Sequence, residues 1–275
     1  MSREGTVAPA FDPNGTTHLR GRSVEFLFQP VVELGSPTIV CGYEALARID
    51  GASPVVQLME SWVAGSGAAD ETALLELLPR FTAPLPRGLR LSLNVSAAAV
   101  VTDPIAVATA VAMLGPERPV CIEILEWGRH PDLPRALAML ADRLVQLGGP
   151  AWRLALDDVS PSLVDACLIR ELRPHIVKTD LAEDPVAIEW VVRAAASVGA
   201  DVVLEHVETV LQARAARAAG VRYGQGYLFG RPMTAERVAD GAGHLDRPVS
   251  AEYTIRRSCE PRSAMRPEPT SALPA

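Results

Sequence analysis

The chain has 275 residues, 48% of them hydrophobic and 21% charged, with a formal net charge of −7. That apolar content suffices for a sizeable core, in one large domain or two small ones. The acidic balance excludes the broad basic field of a duplex-binding protein, while leaving room for a local basic pocket that holds a small anion.

Residues 1–22 are rich in Gly, Pro, Thr and Ser and lack apolar periodicity, so they read as a disordered tail that cannot offset its chain entropy. They also lack the apolar stretch of a secretory signal, which makes a cytoplasmic location the expectation. Strand-like runs at 24–32 and 38–46 join through LGSPT and read as a hairpin. After Asp70, the spacing of Ala73, Leu74, Leu77, Leu78 and Phe81 predicts a helix, followed by a strand at 89–95. The apolar stretch 97–114 is interrupted by Thr102, Asp103 and Pro104, so it is no membrane span. A strand at 119–125 precedes a stripe of Leu133, Leu137, Leu140, Leu144 and Leu147, stopped by Gly148 and Gly149. Further strands are predicted at 152–157, 175–179, 201–205 and 221–223, with helices at 186–198 and 210–219 that stop at Gly199 and Gly220. From residue 246 the chain is rich in Pro, Ser and Arg and reads as a second tail, leaving 23–245 as the folded domain. Repeated strand–helix units predict an α/β fold, either a parallel barrel or a doubly wound sheet, in which the hairpin adds one antiparallel strand.

Four cysteines, Cys41, Cys121, Cys167 and Cys259, lie far apart with no C-x-x-C pair. The first three read as small buried hydrophobes in a reducing compartment rather than as zinc or disulfide partners.

Five of the apolar runs end on oxygen-bearing side chains: Glu44, Asn94, Glu123, the pair Asp157–Asp158, and Glu205. At one face of a barrel such ends would gather hard ligands for divalent cations, the arrangement that metal-assisted attack on a phosphodiester requires. Each residue alone has an ordinary reading. Asp157–Asp158 fits an acidic helix N-cap, Lys178 a snorkelling lysine, Glu205 and Glu208 a helix start, and Gln225, between Gly224 and Gly226, a plain turn.

Their order and spacing carry more. Tyr43-Glu44-Ala45-Leu46-Ala47-Arg48 resembles the signature of the EAL family of cyclic di-GMP phosphodiesterases, and the similarity runs from Phe28 to Pro232. Gln29-Pro30 matches the family's opening Q-P, Leu93-Asn94-Val95-Ser96 its N-[LV]-S and Glu123-Ile124-Leu125-Glu126 its E-I-T-E. Asp157-Asp158 matches the start of D-D-F-G-T-G, Lys178-Thr179-Asp180 matches K-I-D, and Glu205-His206-Val207-Glu208-Thr209 matches E-G-V-E-T. Gln225-Gly226-Tyr227 matches Q-G-[YF], with Phe229 and Pro232 at the family's spacing.

The resemblance implies a modified TIM-type (β/α)8 barrel that opens cyclic di-GMP to the linear dinucleotide with two Mg²⁺ or Mn²⁺ ions. It implies that Glu44, Asn94, Glu123 and Asp157 hold the first metal and that Asp157 and Asp158 hold the second. Lys178 and Glu205 would orient or deprotonate the attacking water. Gln29, Leu46, Arg48 and Gln225 would contact the dinucleotide, with Glu126, Asp180 and Glu208 supporting the ligands from behind.

Three departures bear on activity. Where the family reads D-D-F-G-T-G-Y-S-S-L, this chain reads DDVSPSLVDA, with Ser160 and Ser162 in place of both glycines and Pro161 between them. In the family this loop couples the second metal to dimerisation. His206 replaces another family glycine, beside Glu205, and the family's F-I-P-x-A-E run is reduced to VVQLME after Pro54. The expectation is a phosphodiesterase that is slow or conditionally activated, working as a homodimer or with a regulatory protein partner. The alternative is a catalytically impaired receptor that binds the dinucleotide and signals through a partner; a scaffold that does neither is the third reading.

Overall fold

A computed structural model describes residues 17–241, apart from 55–57, 59, 62, 126–129 and 181–183, together with 254–255. The apolar runs become short strands and the leucine stripes become helices. In chain order they are β1 (Thr17–Leu19), β2 (Arg22–Glu33), β3 (Ser36–Ile49), α1 (Gly67–Phe81), β4 (Leu91–Ser96), α2 (Ala97–Thr102), α3 (Pro104–Ala112) and β5 (Val120–Leu125). There follow α4 (Leu133–Gln146), β6 (Trp152–Leu156), α5 (Leu163–Leu172), β7 (Ile176–Thr179), α6 (Pro185–Ala196), β8 (Asp201–Leu204), α7 (Val210–Ala218), β9 (Tyr223–Gln225), α8 (Ala235–Ala239) and β10 (Thr254–Ile255).

Strands β3 to β9 pair in parallel in sequence order, and β2 pairs antiparallel with both β3 and β9. The sheet therefore closes on itself: eight strands, seven parallel and one antiparallel. This decides between the two parallel architectures in favour of the modified TIM-type barrel. An open doubly wound sheet would leave two strand edges unpaired, whereas here β2 fills the seam.

Local chemistry explains the element ends. Asp103 N-caps α3 by accepting the Ala106 amide, with Pro104 in the first turn, and so splits the apolar 97–114 stretch into two short helices. No helix among the described residues is long and apolar enough to cross a membrane. Thr209 and Gln212 form a capping box that starts α7. On α4 the stripe Leu133, Leu137, Leu140 and Leu144 is buried, while Leu147 lies past the helix end and is exposed. Each fully buried leucine stabilises the fold by roughly 1.5–3 kcal/mol.

Three expectations change. Paired structure begins before residue 23: Thr17–Leu19 lies antiparallel against Arg22–Val24 of β2, with Thr17 and Leu19 buried. A three-residue edge strand is too short to register as apolar periodicity. In the segment expected as the second tail, Thr254–Ile255 pairs parallel with Ile39–Val40; residues 246–253 and 256–275 lie outside the described residues, as do 1–16. Of the cysteines, Cys41 and Cys121 are buried inside the barrel, but Cys167 is exposed on α5, correcting its reading as a core residue. Cys259 lies outside the described residues.

Candidate active site

Because side chains alternate along a strand, the residues two apart on each barrel strand share the interior. Register then sets neighbours: Gln29 lies opposite Glu44, and Asn94 lies opposite Glu123. With Asp157, Lys178, Glu205 and Gln225 from β6 to β9 and their exits, the strand ends bring eight polar side chains to one mouth of the barrel. Sequence separations of up to 196 residues collapse to hydrogen-bond distance, as between Gln225 and Gln29 at 3.2 Å.

Lys178 is the hub. Its Nζ, 1% exposed, lies 2.8 Å from Glu123 Oε2, 2.9 Å from Glu205 Oε1, 3.1 Å from Asp157 Oδ1 and 3.7 Å from Glu44 Oε2. The snorkelling reading is thereby excluded, since the ammonium ends among buried carboxylates rather than in water. Glu44 is held from both sides: Asn94 Nδ2 donates to Oε1 at 2.6 Å, and Gln225 Nε2 donates to Oε2. Gln29 Nε2 in turn donates to the Gly230 carbonyl at 3.3 Å.

One ammonium faces four carboxylates, and the proton affinities respond. Burial pushes the Glu123 carboxyl up to about 8; Lys178 opposes this and the Glu44 and Asp157 charges add to it. Burial likewise raises Glu205 well above the usual carboxylate range, with Asp157, Glu44 and Glu123 adding to it against Lys178. Burial alone would lower Lys178, but the four acids hold it well above its ordinary value. Asp158 is raised by partial burial and by Asp157 and Asp180. A cluster arranged in this way lacks positive charge.

Asp157, Asp158 and Glu205 each present one oxygen within 4.8 Å of the others. Asp157 Oδ1 is buried and accepts no hydrogen bond, although it pairs in charge with Lys178. Hard carboxylate oxygens at this spacing suit a hard divalent cation. The Asp157–Asp158 pair is not a helix cap here, because α5 starts at Leu163 and is capped by Ser162.

Other expected residues lie around this centre. Leu46 and Arg48 are half-buried and line a cavity of about 280 Å³ with Asn94, Phe26 and Leu125. Arg48 Nη1 donates to its neighbour Ala47 carbonyl at 2.8 Å. Asp180 is exposed beside Asp158. Glu208 is exposed, its amide taken by Gln212, and its carboxylate makes no contact with the cluster among the described residues. Glu126 lies outside the described residues, as does most of the VVQLME segment.

The altered loop is rebuilt with side chains. Ser162 N-caps α5, and Asp165 Oδ2 accepts both Ser160 N (2.9 Å) and Ser160 Oγ (3.0 Å). Neither serine has positive φ, so the path taken here does not require glycine. Strain falls elsewhere, on Asp158 (φ 51°) and His206 (φ 53°), both left-handed. Glu71, not singled out from the sequence, accepts Ser96 N (2.9 Å) and Oγ (2.8 Å) and so anchors the β4 exit beyond Asn94. Its only sequence signal is an acid in the first turns of a predicted helix.

Comparison with known proteins identifies the family and agrees with the fold. The profile of the EAL domain matches residues 16–232. No curated protein sequence matches the chain. Among solved structures, an EAL domain protein from Listeria monocytogenes EGD-e superposes with TM-score 0.62 at 21% identity, covering 79% of this chain and 91% of that one. The PaMucR phosphodiesterase in complex with c-di-GMP gives TM-score 0.64 at 22% identity over 78% and 99%. The manganese/cyclic di-GMP complex of Klebsiella pneumoniae BlrP1 gives TM-score 0.61 at 26% identity, covering 80% of this chain and 58% of that longer one. With a family match across most of its length, the chain belongs to the EAL domain family.

Proposed function

We propose that the protein hydrolyses cyclic di-GMP to the linear dinucleotide, at the mouth formed by Glu44, Asn94, Glu123, Asp157, Asp158, Lys178 and Glu205. The observation that supports this most is the charge imbalance of the cluster: four carboxylates, three of them buried and Glu205 nearly so, share one ammonium. Divalent Mg²⁺ or Mn²⁺ held by Glu44, Asn94, Glu123, Asp157 and Asp158 would supply the missing charge, polarise the phosphate and lower the pKa of a bound water. Asn94, whose Nδ2 is committed to Glu44, keeps Oδ1 for a cation.

The chain's own groups divide the remaining work. Glu205, with its raised proton affinity, is suited to accept the proton of the attacking water as the new P–O bond forms. Lys178 holds Glu205 and Asp157 in place, and its charge stabilises the negative charge that builds on the phosphoryl oxygens. One P–O ester bond breaks, and the departing sugar oxygen takes up a proton. Leu46 and Arg48 line the cavity beside Asn94, where a base and a phosphate of the dinucleotide would rest.

The test is chromatography of cyclic di-GMP incubated with purified protein and Mn²⁺ or Mg²⁺. Linear dinucleotide should accumulate, and Glu44→Ala and Asp157→Asn should abolish it. Saturable binding without product, across protein concentrations, would instead establish the receptor reading. Turnover that rises with protein concentration would tie activity to a homodimer.

A further inference from the structure

The opposite mouth of the barrel carries charge of another sign. Following the interior side chains downward, Asn94 gives way to Ser92 and Arg90, Asp157 to Ala155 and Arg153, Glu205 to Val203 and Asp201, and Gln29 to Val31 and Glu33. Glu33, Arg153 and Asp201 on β2, β6 and β8, with Arg90 just before β4, thus form one interior layer, the four-residue layering of such barrels. Arg222, just before β9, takes up both acids: its Nη1 lies 3.0 and 3.2 Å from the Asp201 oxygens, and its Nε 3.8 Å from Glu33 Oε1. It also stacks over the Tyr223 ring at 4.9 Å.

Arg90 and Arg153 are left over. Both are half-buried, neither guanidinium makes a hydrogen bond or ion pair among the described residues, and their charges oppose one another, offset only in part at Arg153 by Asp201. The neighbouring interior residue, Cys121, has its thiol pushed up to about 12 by burial and remains uncharged. A cavity of about 30 Å³ separates Arg90 from Lys178, itself saturated with carboxylates. His175, beside Arg153, accepts the Leu154 amide at Nδ1 (3.1 Å), which leaves its proton on Nε2 as a further donor.

We infer that this N-terminal mouth is an anion site, in which the Arg90 and Arg153 guanidiniums together bind an oxyanion of the phosphate class. Two planar forks facing one tetrahedral anion make charge-assisted, bidentate contacts, and the anion removes their mutual repulsion. The plainer reading is that both arginines only snorkel to water, and it predicts no anion-specific response.

The experiment uses the full chain in EDTA at constant ionic strength, with inorganic phosphate and then a nucleoside monophosphate as probes. Arginine Nε resonances are followed by ¹H–¹⁵N spectroscopy and affinity by calorimetry. Two Nε resonances, lost one each in Arg90→Gln and Arg153→Gln, should shift saturably, and each substitution should weaken binding about tenfold or more. Asp157→Asn, at the other mouth, should leave both Nε shifts in place. Tighter binding of the nucleotide would identify a phosphomonoester as the ligand, and equal binding would identify free phosphate. The absence of saturable Nε shifts in the wild-type protein, which needs no variant to fold, overturns the proposal, as does unchanged affinity in a folded variant lacking both arginines.

Discussion

Lys178 shows how one residue's surroundings decide its role. In HIVK it is a lysine at a strand end; in the barrel it is the cation of the cluster, and its replacement leaves buried acids facing one another. Lys178→Met should cost about 3–5 kcal/mol in metal-free protein. Chemical denaturation measures this, and Mn²⁺ should recover more stability in the variant than in wild type; an unchanged midpoint would contradict the hub role. Glu123 sets a pH dependence. Its proton affinity is higher folded, about 8, than the ordinary 4.5, so the folded state binds more protons between those values. Its contribution is complete below pH 4.5 and is lost as pH rises through about 8. In EDTA, the melting temperature of wild type should therefore fall over this window relative to Glu123→Gln. Divalent cation should diminish that fall.

At the level of elements, the loop after Asp157–Asp158 departs from the family's text, yet Asp158 at its start still presents an oxygen within 4.8 Å of those of Asp157 and Glu205. Asp165 and the two serines supply hydrogen bonds where glycines would have supplied backbone freedom. Asp165→Ala removes the acceptor of two of them and should destabilise by about 1–3 kcal/mol, read by denaturant titration, with turnover reduced further if Asp158 holds a metal. The exit of β8 is different, because His206 occupies a left-handed conformation without compensation from a short polar side chain. His206→Gly should relieve that strain and stabilise the protein by up to about 1 kcal/mol, since Gly's greater unfolded-state freedom offsets part of the gain. A lower melting temperature would show that the imidazole contributes more than its backbone costs.

Closure of the barrel governs the molecule as a whole. Next to the seam where β9 meets β2, a Cβ on Gly226 (φ 149°) would collide with the Val207 backbone, whose amide donates to the Gln225 carbonyl at 3.0 Å. Gly226→Ala should therefore cost about 1–3 kcal/mol or more and displace Gln225 from Glu44, lowering both the melting temperature and cyclic di-GMP turnover. Stability lost without any change in turnover would separate closure from the site. Only closure brings the two mouths into being: an acid-rich one where the strands end, and an arginine-bearing one where they begin.

Motif order in the chain, from Gln29-Pro30 to Gln225-Gly226, was enough to indicate the family and the (β/α)8 barrel with its antiparallel strand. Element type was also legible, because leucine stripes and capped starts are local physics. Which oxygens meet was not, because Gln225 and Glu44 are 181 residues apart and their pairing depends on strand register around a closed sheet. The same holds for Glu71 behind Ser96 and for the arginine pair, whose members sit on or just before strands that do not touch. Local sequence carries propensity and pattern; proximity across a barrel, and the charge balance it creates, exists only once the chain has closed on itself.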